Sequence, residues 1–115
     1  MEIVKKDEAL KGSNSNVCKK IEYSFNDKDM DLCIATITGR YPDVGYCMNL
    51  KSKELIYVME GKGILELENK KIEFSQGDSI IISPNEKYYW DSEYTVISMI
   101  CTPAWSIEQY KAIKE

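Results

Sequence analysis

A chain of 115 residues, 43% hydrophobic and 30% charged, is long enough for one domain with its own core and needs neither disulfides nor a metal to fold. A net charge of −4, with lysines scattered apart from the pairs Lys5-Lys6, Lys19-Lys20 and Lys70-Lys71, argues against a nucleic-acid partner, which needs a clustered basic surface. No apolar run approaches the ~18 residues of a membrane helix. The charged start Met1–Asp7 also lacks the apolar stretch of a signal peptide, so the expected location is the cytoplasm, away from membranes.

Taken in chain order, residues 1–16 read as an N-terminal arm, with a short strand possible at Ile3-Val4 and a flexible stretch over Lys11-Gly12-Ser13-Asn14-Ser15-Asn16. From Val17 onward, short apolar runs recur between turn residues. Val17–Phe25, Leu32–Thr38, Leu55–Met59, Ile64–Leu67, Lys71–Phe74, Ser79–Ile82, Lys87–Trp90 and Tyr94–Cys101 are the strand candidates. Ile64–Glu68 alternates with period two, Asn69-Lys70 turns the chain, and Lys71–Phe74 alternates again, which predicts a hairpin with one wet and one buried face. Many short strands at this spacing give an all-β sandwich or barrel over residues 17–102. Pro103-Ala104-Trp105 ends the last strand, and Ser106-Ile107-Glu108-Gln109 has the form of a capping box. The spacing of Ile107, Tyr110 and Ile113 then predicts a short C-terminal helix within residues 103–115. No repeat or second domain is visible.

Two stretches carry more than fold class. Glu54 is followed after six residues by Gly61 in Glu54-Leu55-Ile56-Tyr57-Val58-Met59-Glu60-Gly61-Lys62-Gly63. About 15 residues later comes Gly77-Asp78-Ser79-Ile80-Ile81-Ile82-Ser83-Pro84-Asn85-Glu86. In that order they resemble the two motifs of the cupins, over roughly residues 39–110. The resemblance implies a double-stranded β-helix or jelly-roll barrel, here with a short C-terminal helix. It also implies homodimers formed through N-terminal strands and the outer sheet. Pro84 falls one residue later than the cupin pattern asks, and Asn85 stands where a glycine is usual, as it can because Asn tolerates left-handed backbone.

The chain departs from cupins at their metal-binding positions, because it contains no histidine. Counting back from Glu54, the two first-motif histidine positions hold Cys47 and Asn49, or Met48 and Leu50. The second-motif position holds Tyr88 or Tyr89. Of the three-histidine, one-glutamate set, Glu54 alone remains, and one carboxylate does not hold a catalytic divalent ion against water. The expectation is a barrel with no metal and no cofactor. A zinc site built from Cys47, Glu54 and either Cys33 or Cys101 is the alternative. Against it, the four cysteines have no paired spacing, and in a reducing compartment they read as free, buried small hydrophobes.

The candidate site residues are therefore Cys47, Asn49, Glu54, Tyr88 and Trp90. Glu54 should face the barrel interior, where an unpaired carboxylate is costly. It acts there as a general acid or base with a raised pKa, it anchors a cationic or hydroxylated ligand, or it is a structural group bonded to Tyr88 or Asn49. Tyr88 and Trp90 alternate onto one strand face and either stack on a planar ligand or fill the barrel. Weaker candidates are Tyr46, Lys51 as a desolvated base, Arg40 as a carboxylate clamp, and Trp105 closing a barrel end or a dimer contact. Three functions follow: binding of a small metabolite (a sugar, carboxylate or aromatic) in the barrel; a metal-independent isomerase or epimerase using Glu54 and a tyrosine; and a structural or regulatory barrel with no ligand.

Overall fold

The computed structural model describes residues 1–114 and is mostly β-strand, with almost no helix. Its strands are β1 (Leu10–Ser15), β2 (Cys18–Tyr23), β3 (Asp31–Ile37), β4 (Arg40–Tyr41), β5 (Tyr46–Asn49), β6 (Lys53–Leu67), β7 (Lys70–Ser75), β8 (Ser79–Ile82), β9 (Tyr88–Thr102) and β10 (Tyr110–Ile113). The order β1-β2-β3-β9-β5-β10 forms one run; β6 pairs with β7, β8 and β9, and β4 with β9. The sheet curls into a jelly-roll barrel with β9 as its spine.

Both long strands, β6 and β9, read in the sequence as two strands each. They pair continuously from Lys53↔Thr102 to Leu67↔Tyr88, with register shifts between Val58 and Glu60 and between Lys62 and Ile64. Such bulges bend a strand, so one strand serves two walls of a barrel. Gly61 sits at the bend with φ +85°, where an added Cβ would fall 2.1 Å from the Tyr94 carbonyl oxygen. Backbone groups freed by the shifts are taken by side chains of β9: Ser92 Oγ donates to the Lys62 carbonyl (2.6 Å) and Thr95 Oγ1 to that of Glu60 (2.8 Å).

β6 alternates strictly over its first half. Glu54, Ile56 and Val58 point inward, while Leu55, Tyr57 and Met59 point out. A core of Val58, Leu65, Phe74 and Ile82 fills one end of the barrel. The hairpin β6–β7 forms as expected, although Leu67 pairs with Lys70, so the two-residue turn is Glu68-Asn69 and not Asn69-Lys70. Asn85 has φ 69°, the left-handed backbone expected where cupins use glycine.

The two ends of the chain differ from the sequence reading. The polar stretch after Leu10 is not a flexible arm. It forms β1 and pairs with β2 from Leu10↔Glu22 to Ser15↔Cys18, while Ile3-Val4 forms no strand. An exposed strand at a sheet edge needs no apolar residues; it needs only backbone to pair with β2.

The predicted C-terminal helix is also absent. One 3-10 turn at Ile107–Gln109 leads into β10, which pairs with β5 from Tyr110↔Asn49 to Ile113↔Tyr46. Four residues with Tyr and Ile gain more from an open strand edge than from a single helical turn. The Ser106 side chain caps nothing. Gln109 is buried instead, and its Oε1 accepts the backbone N–H groups of Lys51 (3.1 Å) and Ser52 (2.7 Å). Gln109→Ala orphans both donors and is expected to cost about 1–3 kcal/mol, read as a lower denaturation midpoint with unchanged slope.

Candidate functional site

The other end of the barrel is open. A cavity of about 270 Å³ lies between β2, β3, the ends of β5, β6 and β9, and the segment after Pro103. Asn49, Glu54, Tyr88 and Trp90 line it. Cys47 does not. It is fully buried behind the wall, with its thiol 3.6 Å from the Tyr88 carbonyl oxygen, and burial pushes that thiol up to about 12. It packs as a small apolar residue beneath Tyr88.

Strand alternation explains the grouping. Glu54 shares the inward face of β6 with Ile56 and Val58, and Tyr88 and Trp90 share the inward face of β9. Glu54 is 4% exposed. The Tyr88 hydroxyl donates to its Oε1 at 2.8 Å, and the Cys101 thiol lies 4.0 Å from its Oε2. Burial raises the Glu54 carboxyl above its usual value, with Tyr88 and the Asn49 amide opposing the shift and Asp31 adding to it. Tyr88 is itself held well above the usual phenol range, by burial first and the Glu54 charge second. Burial thus favours the protonated form of both groups.

Trp90 stands edge-on to both Phe74 (5.4 Å, 79°) and Tyr88 (6.4 Å, 86°), so it joins the filled end of the barrel to the open one. Trp105 lines the cavity, and its indole N–H donates to Asn49 Oδ1 at 3.0 Å. Its backbone N–H is held by Asp31 Oδ2, also at 3.0 Å. The hydroxyls of Tyr41 and Tyr110 meet at 3.1 Å in the same wall.

Arg40 and Lys51 fall outside. Arg40 stacks on Tyr89 at 3.7 Å and donates to the carbonyls of Pro42 (2.7 Å) and Gly45 (3.1 Å), so it fastens a loop. Lys51 is exposed beyond the end of β5.

Residues not singled out from sequence also line the cavity, chiefly Lys20 and Glu22 of β2 and Asp31 of β3. Cys18, Lys20 and Glu22 stand two apart, and that period was the available signal. It was masked because the opposite face of β2 carries Ile21 and Tyr23, the more apolar set.

The metal that the cupin resemblance implied does not fit these side chains. Glu54 Oε1 and Asn49 Oδ1 are already hydrogen-bonded, and burial leaves Cys33 (about 12) and Cys101 as neutral thiols. Among the described residues no three His, Cys, Asp or Glu side chains converge on one point. Elemental analysis of purified protein is expected to find no stoichiometric iron, manganese, nickel or zinc; about one tightly held ion per chain would contradict this donor set.

Residues 51–102, which span Glu54, Gly61, Gly77 and Tyr88, match the cupin-domain family. The barrel has the cupin fold. An RmlC-like cupin from Shewanella frigidimarina superposes with a TM-score of 0.73 at 14% identity, over 90% of this chain and 92% of that one. Pac13 of Streptomyces, a nucleoside dehydratase, superposes with a TM-score of 0.85 at 16% identity, over 99% of this chain and 92% of that one. Variants of Pac13 altered at a histidine or a tyrosine have been solved with uridine. An uncharacterised protein of Methanocaldococcus jannaschii is 46% identical over 33 residues, 29% of this chain and 26% of the relative. The aligned stretch thus spans about a quarter of that relative's length. Similarities at this identity establish the shared barrel, with enzymes among its neighbours.

Proposed function

We propose that this cupin binds a small cyclic metabolite in the open end of its barrel and that Glu54 exchanges a proton with it. The observation that carries the reading is the Glu54 carboxyl, raised by burial and backed by the Tyr88 hydroxyl, in the wall of a cavity that side chains leave open. At about 270 Å³ the cavity lies just below the usual range of metabolite sites, the size of a small ring compound. Trp90 and Trp105 add aromatic surface to the lining, and the tyrosine hydroxyls offer both donors and acceptors. The protonated carboxyl gives up its proton to the ligand, and the carboxylate left behind is stabilised by the Tyr88 O–H and the Asn49 amide. Dehydration and isomerisation are the reaction classes that need such a group without a metal. The Pac13 precedent, a nucleoside dehydratase in the same barrel, supports the first of these.

The test is a nuclear magnetic resonance titration with nucleosides and monosaccharides, following the methyl groups of Ile97 and Met99, which line the cavity. Shifts confined to these methyls, and lost when the cavity is filled by Ala35→Leu, are the expected result. Equal shifts in parent and filled variant, or no shifts with any compound, would contradict it.

We also propose a homodimer. Ile81, Leu55 and Ile100 pair in register across β8, β6 and β9 and are exposed on the outer face, beside Tyr57 and Met59. Light scattering should give twice the 13.3 kDa chain mass; a monomeric mass at micromolar concentration would reject the dimer.

A further inference from the structure

Among the described residues that line the cavity, Lys20 is the single cation. It is not free to meet a ligand's charge. Its Nζ lies 3.5 Å from Glu22 Oε2 and 5.6 Å over the Trp105 ring, whose own position is fixed by Asn49 and Asp31. Glu22, Asp31 and Glu54 share the same lining, so carboxyl groups outnumber the cation three to one.

We propose that Glu22 sets the charge of the ligand. By pairing with Lys20 it makes the cavity take uncharged ring compounds, such as a nucleoside or a free sugar, and reject their phosphorylated counterparts. The proposal rests on the cavity being the ligand site and adds the substrate class. A phosphate entering here would give up its hydration to face a lysine already engaged and two further carboxyl groups, in a pocket walled by Trp90, Ile97 and Met99. An uncharged ring gives up little, because the hydroxyls of Tyr41 and Tyr110 and the Glu54 carboxyl can take its polar atoms. Discrimination of this kind comes from a repulsive element built against the wrong ligand. Glu22→Gln keeps the shape of the wall and releases Lys20.

The experiment titrates parent and Glu22→Gln protein at low salt with two matched pairs: uridine with uridine 5′-monophosphate, and glucose with glucose 6-phosphate. The parent should bind the uncharged member of at least one pair about tenfold or more tightly than its phosphorylated partner. Glu22→Gln should close that gap by about tenfold, through tighter binding of the phosphorylated member. The double variant Glu22→Gln/Lys20→Met should lose this gain while still binding the uncharged compound. Equal or tighter binding of the phosphorylated member by the parent would overturn the proposal and leave the cavity as the ligand site. An unchanged ratio in Glu22→Gln, or a gain that survives in the double variant, would overturn it in the same way. If no compound binds either protein, both the proposal and the barrel-site reading fall.

Discussion

Glu54→Gln is expected to abolish proton transfer to a bound ligand while leaving the protein at least as stable as the parent at neutral pH. Burial holds the Glu54 carboxyl above its ordinary value of 4.5. Between 4.5 and the folded value, the native state keeps a proton that the unfolded chain has released. The stabilising contribution is therefore whole below 4.5 and is lost as pH rises through the folded value. Glutamine removes that titration, and its Oε1 still accepts the Tyr88 hydroxyl. Urea midpoints measured from pH 4 upward should show the parent declining relative to the variant. Asp31, also raised by burial, titrates in both proteins and largely cancels in the difference. A difference that stays constant with pH would mean that Glu54 is not a buried neutral acid. Losing a general acid costs on the order of 10²–10⁴ in rate, so residual turnover near the parent's would remove Glu54 from the chemistry.

Trp90→Ala should produce the largest loss of stability of any single change at the site. Trp90 is 2% exposed and contacts both Phe74 of the filled end and Tyr88 of the open one. Truncating a buried tryptophan costs about 3–5 kcal/mol, because the void left behind is only partly refilled. At several degrees per kcal/mol for a chain of this size, the melting temperature should fall by on the order of 15 °C. Calorimetry reads this directly. Tyr88→Phe, by comparison, removes one hydroxyl and leaves Glu54 Oε1 without its donor, a smaller effect of about 1–3 kcal/mol. A Trp90→Ala protein as stable as the parent would show that the ring merely borders the cavity and does not join its two ends.

Much of the barrel was legible because its strands alternate. The inward placement of Glu54, Tyr88 and Trp90 follows from period two along β6 and β9, and Asn85 took the left-handed turn that its position required. Where side chains gave no periodic signal, the reading failed. β1 is polar after Leu10 because it lies exposed at an edge, and β10 exists because β5 leaves a backbone edge to pair. Ser106 to Gln109 matched a local helix signal, yet Gln109 serves backbone groups more than 50 residues away, a long-range contact that no local pattern encodes. Counting along the motif puts Cys47 in the site, whereas its buried side chain packs behind the wall. Lys20 and Glu22 were overlooked because charged residues on a strand read as solvated, whereas here they pair with one another at a cavity.

Direct titration of the Glu54 carboxyl tests the account most closely. Protein labelled with ¹³C in its glutamate side chains should show one carboxyl resonance, absent from Glu54→Gln, that titrates with a midpoint clearly above 4.5 and moves when a cavity-binding compound is added. A Glu54 midpoint at or below 4.5, unmoved by any compound that binds, would contradict the neutral acid on which the proposed function depends.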